Sequence, residues 1–156
     1  MIAGPLAGLR VGVTRAPEQA GSLSEALAAA GAEPVDLPCL ELADPADWST
    51  LDGAFGQRWD GLLFTSVNAV DRCLDRLEGG GGRITDFGGA FVAAAGTSTA
   101  EALVRRGLPA DLVPPTFRSE SLLEAIQAAW GARLAGSRWL LPRAEEAREV
   151  LPEGLR

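Results

Sequence analysis

The sequence predicts an α/β fold with parallel strands, and three observations carry the prediction. Apolar runs without polar alternation, at 11–13, 62–64, 91–95 and 139–141, suit strands covered on both faces. Small, hydroxyl or arginine residues follow each run, and most are followed in turn by apolar residues at helical spacing. Residues 9–37 alone spell strand, helix, strand, which implies a right-handed crossover between parallel neighbours.

Leu9–Thr14 is the first predicted strand. Pro17 suits a first helical turn, and Ala20, Leu23, Leu27 and Ala30 give the following helix one apolar face before Gly31 stops it. Pro34–Pro38 is the second strand. Residues 38–50 hold two prolines, several acids and no clean period, and suit a connector or a long surface loop. Residues 47–55 suggest a short helix with Trp48, Leu51 and Phe55 on one side.

The stretch Leu62-Leu63-Phe64-Thr65-Ser66-Val67-Asn68-Ala69-Val70 organises the chain. It spells a strand, a tight turn and a helix whose buried stripe is Ala69, Val70, Cys73, Leu74 and Leu77. Gly79–Gly82 lacks a following Lys and does not lie between a strand and a helix, so it is a surface loop and not a phosphate loop. Phe91–Ala95 is a small-residue strand. Ser98 with Glu101 and Ser121 with Glu124 have capping-box spacing ahead of two further helices. Asp111–Pro114 and Arg138–Leu141 are expected as short strands, and Ala144–Leu151 as a helix with Glu145 and Glu146 in its first turn.

Composition excludes several chemistries. The chain has 156 residues, 47% of them hydrophobic, with mean hydropathy +0.10, which is ample for a core. No apolar run approaches the ~20 residues needed to cross a bilayer. Arg10, glycines and a proline interrupt the start, so no signal peptide is expected, and the protein is predicted to be cytoplasmic. All 14 basic residues are arginine, and there is no Lys, His or Tyr. Without His, Ser-His-Asp and Cys-His arrangements are ruled out. A net charge of −7 argues against a general nucleic-acid binder. No G-x-G-x-x-G stands at a strand–helix turn, and Cys39 and Cys73, without metal or redox spacing, are expected to be buried or inert.

What remains is a set of turns suited to anions. Thr14 and Arg15, Thr65 to Asn68, Gly96 to Thr99, and Arg143 stand at C-terminal strand ends, where open α/β sheets bind ligands. Taken singly, such hydroxyls more often cap helices; their recurrence favours a shared anionic ligand. Arginines there suit carboxylates in bidentate pairing.

The order of these segments resembles the uroporphyrinogen-III synthase family. The resemblance runs through Leu9–Arg15, Gly31–Val35, Trp59–Val70, Ala95–Leu103, Ser119–Leu123 and Leu140–Ala144. It implies a HemD-like fold of two flavodoxin-like parallel-sheet domains joined by a connector, with the active cleft between them. Residues 1–37 would begin a discontinuous first domain, 38–54 would be the connector, and 55–156 most of the inserted domain. The chain would then be C-terminally truncated and inactive alone. The implied reaction closes hydroxymethylbilane to uroporphyrinogen III through a spiro intermediate, losing the terminal hydroxyl and inverting the last ring, with no metal or cofactor. The small-molecule substrate would be the one partner of a monomer, without nucleic acid or membrane. The substrate's carboxylates would meet Thr14, Arg15, Thr65, Ser66, Asn68, Gly96, Thr97, Ser98, Thr99, Ser119 and Arg143, and no catalytic proton carrier is assigned. The alternatives are a non-enzymatic α/β module for a small anionic metabolite, and a single flavodoxin-like domain that binds a flavin or a nucleotide phosphate.

Overall fold

A computed structural model describes residues 4–144 and 149–155. The chain divides into two compact units between Ala46 and Asp47. In the first, strand β1 (Arg10–Val13), helix α1 (Pro17–Ala29) and strand β2 (Glu33–Asp36) form a βαβ unit with the strands paired in parallel. Gly31 leaves the helix at φ +93°, a conformation side chains rarely adopt. Val13, Ala16 and Ala20 are its buried apolar residues, while Leu9, Leu37 and Leu40 stay exposed.

The second unit begins with α2 (Ser49–Phe55), so the later part of the stretch expected as connector is helical. Strand β3 (Gly61–Phe64) leads into α3 (Val67–Gly79), β4 (Phe91–Ala94), α4 (Thr97–Arg105), α5 (Ser119–Trp130), β5 (Trp139–Leu140) and α6 (Val150–Gly154). The sheet order is β4–β3–β5, all parallel. Gly61 is required by close approach: a Cβ there would overlap the Trp139 indole.

Side-chain alternation along β3 splits the core into two layers. Leu62 and Phe64 join Val92, Ala94 and Leu140 against Val70, Leu74, Leu77, Ala102 and Leu103 of α3 and α4. Leu63, with Ala93 and Ala95, meets Leu122 and Ile126 of α5 and Leu151 of α6 on the other side. Leu62, Leu63 and Phe64 are each 0% exposed, which explains the unbroken apolar run.

Polar ties hold the helices in register. Arg76 donates two hydrogen bonds to Asp52, from Nε at 2.7 Å and Nη2 at 2.6 Å, joining α2 to α3. Those bonds hold the Asp52 carboxyl below its ordinary pKa. Arg106 donates to Asp75 at 2.8 Å and Glu78 at 3.0 Å, fastening the end of α4 to α3.

Several local expectations are corrected. Ser98 and Ser121 do not cap their helices; the N-cap positions are extended Gly96, two residues earlier, and extended Arg118, three residues earlier. The strand expected at Asp111–Pro114 is reduced to a single bridge, Ala93 to Leu112. There the Asp111 carboxylate accepts the Val92 N–H at 2.8 Å, and two prolines follow that have no N–H to donate. The four glycines close α3 rather than form a free loop, with Gly81 donating to Glu78 O and Gly82 to Leu77 O, both at 2.9 Å. The helix start expected at Ala144 to Glu146 lies mostly outside the described residues. Cys39 is exposed, against expectation, while Cys73 is buried.

Two outcomes test this packing. Leu63→Ala empties a site on the α5 side and is expected to cost about 2–5 kcal/mol in urea unfolding. Burial penalises the Cys73 thiolate and pushes its pKa up to about 12, so at pH 8 that thiol stays protonated. A thiol reagent at pH 8 is expected to label Cys39 alone in the native protein and both cysteines after unfolding; rapid native labelling of Cys73 would contradict the packing.

Candidate functional site

In the second unit the sheet creates a crevice by its connectivity. The connection after β3 runs to α3 on one face, and the chain after β5 reaches α6 on the other. Between adjacent parallel strands whose exits diverge, a cleft opens at the carboxyl ends. The pairing sets Gly61 opposite Trp139 and Leu62 opposite Leu140.

Each strand exit presents hydrogen-bonding groups for a local reason. Ser66 has extended backbone at φ −155°, and its Oγ accepts from Ala69 N at 3.1 Å, capping α3. Thr65, immediately before it, is half-buried and lines the cleft. Across the sheet, Ala95 N donates to Phe64 O at 2.9 Å, extending the ladder one residue past β4. Gly96 then starts α4 with no side-chain cap, so the backbone N–H groups of the first turn have no side-chain acceptor. Thr97 and Ser98 are exposed there.

A cavity of about 530 Å³ lies along this edge, lined by Thr65, Ala95, Phe117, Arg118, Ser119 and Glu120. The segment leading into α5 therefore folds over the ends of β3 and β4. Thr65 and Ser119, far apart in sequence, line one space. Phe117 and Arg118 are functional candidates that the sequence reading missed. Their only sequence signal is an aromatic and an arginine between two prolines and a helix start, and placing that start at Ser121 hid them.

Other expected residues fall differently. Thr99 is 1% exposed and offers no hydroxyl to the edge, because it lies on the inner face of α4. Asn68 is half-buried within the first turn of α3 and already makes an interaction of its own. Arg143 Nη2 lies 2.5 Å from Glu149 Oε1, so an incoming anion must compete with that carboxylate. Thr14 and Arg15 are exposed at the end of β1 in the first unit, where Thr14 O accepts from Cys39 N at 3.2 Å. Among the described residues, no group of three or more His, Cys, Asp or Glu is placed to hold a metal ion.

Fold and edge together define an α/β protein with a parallel sheet whose strand ends present hydroxyls, backbone N–H groups and arginine. The comparisons then specify the family. The family model for uroporphyrinogen-III synthase HemD matches residues 21–156, and the chain belongs to that family. It is 36% identical to a uroporphyrinogen-III synthase of Synechococcus elongatus over 97% of this chain and 56% of that one. A porphyrin biosynthesis protein HemD of Ruminiclostridium josui is 32% identical over 76% of this chain and 24% of its own length. A crystal structure of a uroporphyrinogen III synthase variant from Thermus thermophilus superposes with a TM-score of 0.67. It covers 95% of this chain and 57% of that one at 22% identity, and so supports the fold. The chain thus spans little more than half the length of the Synechococcus relative.

The cap is directly testable. Ser66→Ala removes the acceptor for Ala69 N–H and is expected to cost about 1 kcal/mol in urea unfolding. An unchanged midpoint would show that water caps α3 as well as the hydroxyl does.

Proposed function

We propose that this chain supplies the tetrapyrrole-binding part of a uroporphyrinogen-III synthase. The reaction closes hydroxymethylbilane to uroporphyrinogen III, inverting ring D and losing the terminal hydroxyl as water. The observation that carries the proposal is the convergence of Thr65, Ala95, Arg118 and Ser119 on one cleft at the sheet's carboxyl edge, in a chain of this family.

The chemistry fits the groups present. The substrate is electron-rich and carries its own leaving hydroxyl, so what the protein chiefly provides is a bound geometry that brings the reacting ends together. Its carboxylates call for N–H donors, hydroxyls and guanidinium groups. Thr65, Ser66, Gly96, Thr97, Ser98 and Ser119 supply such groups along the edge of the second unit. Arg143 joins them once Glu149 is displaced, and Thr14 and Arg15, exposed at the end of β1, are carboxylate-binding candidates of the first unit by itself. Thr99, buried in α4, is left out, and Asn68, half-buried in the first turn of α3, stays in the proposed set. The reading calls for no metal or organic cofactor and names no residue for proton transfer. It places the protein in the cytoplasm as a monomer.

In this reading, residues 1–37 begin a discontinuous domain and 55–156 form most of an inserted one. The stretch 38–54 joins them, its last residues already packed as α2. The matched relatives are much longer, so the 156 residues by themselves are expected to be inactive.

The assay is turnover of hydroxymethylbilane by the whole natural chain, with separation of the uroporphyrinogen isomers. The ring-D-inverted isomer is expected to form well above the rate in buffer. Thr65→Val, which removes one hydroxyl at nearly constant shape, is expected to raise KM roughly fivefold through the loss of about 1 kcal/mol of hydrogen bonding. Tight tetrapyrrole binding without any turnover would favour a non-enzymatic binding module instead.

A further inference from the structure

Phe117 is the most exposed aromatic side chain at the cleft, at 70%, yet it does not sit on a loose tip. Its ring lies over Gly96, where an added Cβ would come within 2.6 Å of Cδ2. The turn beneath it is held on both sides. The Thr116 and Ser121 hydroxyls share a hydrogen bond of 2.6 Å, Arg118 N donates to Thr116 O at 2.9 Å, and Leu122 N donates to Arg118 O at 3.1 Å. Leu122, 0% exposed, anchors the helix start in the core. The fold therefore holds a large apolar ring in water at a fixed place, beside a cavity.

Arg118 follows directly and lines the same cavity. Its guanidinium makes no hydrogen bond or ion pair among the described residues, unlike Arg76, Arg106 and Arg143. Thr65 and Ser119 add hydroxyls, and Glu120 adds one opposing charge that Arg118 must outweigh. A flat π-face next to an unpaired cation and two hydroxyls matches a flat, electron-rich ring bearing carboxylates.

We propose that Phe117 and Arg118 form a clamp for one pyrrole ring of the ligand. Phe117 stacks on the ring face, and Arg118 pairs with a carboxylate borne by that same ring. The ligand's identity as a polypyrrole rests on the synthase reading above; the clamp itself rests on the placement of the two side chains. Gly96 is part of the device, because a side chain there would push the Phe117 ring away from the strand ends.

Two experiments on the whole natural chain test the clamp separately from the reading. In the first, a pyrrole carrying acetate and propionate groups is titrated while the phenylalanine ring protons are followed by NMR. The Phe117 resonances are expected to shift, and Phe117→Leu and Arg118→Gln are each expected to weaken binding about tenfold. Esterifying both carboxylates is expected to abolish binding. Shifts confined to the Thr65 and Gly96 amides, or equal affinity for adenosine monophosphate, would overturn the clamp. In the second, Phe117→Leu is expected to raise KM for hydroxymethylbilane about tenfold with kcat changed less than twofold, and Phe117→Tyr to restore it. If the wild type turns over and Phe117→Leu is unchanged, the clamp fails and the synthase reading stands. If the wild type does not turn over but the pyrrole still binds through Phe117, the reading fails and the clamp stands. A Phe117→Leu protein that loses unfolding stability with KM unaffected would mark the ring as a protein contact and overturn the proposal.

Discussion

Strand β3 has water on neither face, and that double burial sets the conditions for the rest of the second unit. Leu62 and Phe64 fill one layer while Leu63 fills the other, each 0% exposed. A strand so placed has no solvent for its backbone groups, so it needs hydrogen-bonded neighbours along both edges, and β4 and β5 are those neighbours. It also needs helices on both sides, so the connections must leave the sheet in opposite directions. The cavity at its carboxyl end lies where the segment entering α5 crosses the ends of β3 and β4. Binding groups need no special device to reach it, only a place among the first residues after each strand.

Burial explains which features the sequence made legible. Continuous apolar runs located β1, β3, β4 and β5 within a residue or two; β3 is covered on both faces as such a run implies, whereas β1 is buried only at Val13. Helix starts were harder. Ser98 with Glu101 and Ser121 with Glu124 have the right residues at the right spacing, but Gly96 and Arg118 take the extended backbone that begins each helix instead. At Asp111 the side chain replaces a strand's carbonyl, a substitution invisible to pattern reading because its partner, Val92, is distant in sequence. The hydroxyls and glycine at the exits of β3 and β4 were legible because they are local to each strand. Phe117 and Arg118 were not, since the folding of one loop over two strand ends is a tertiary fact. Thr99 was misjudged because its exposure depends on the face of α4 it occupies.

The distribution of arginine adds an electrostatic contrast. The chain carries a net charge of −7, and several guanidinium groups serve as fasteners between acidic side chains of neighbouring elements. Such exposed pairs contribute little stability each, and their value lies in fixing which helix faces meet. Arg118 instead lines a cavity and makes no ion pair among the described residues.

At the far end of α5, Trp130 lies 5.0 Å from Trp139 between ring centroids, with Phe91 5.7 Å from Trp130 and Arg133 over the same indole. The helix has 12 residues, so at ~1.5 Å per residue its two ends stand roughly 18 Å apart. One end lines the cavity and the other carries half of a coupled chromophore pair. Any tilt of this rigid lever would alter the overlap of the two indoles. Near-ultraviolet circular dichroism of the two indoles would therefore register a tilt of α5 from outside the cleft.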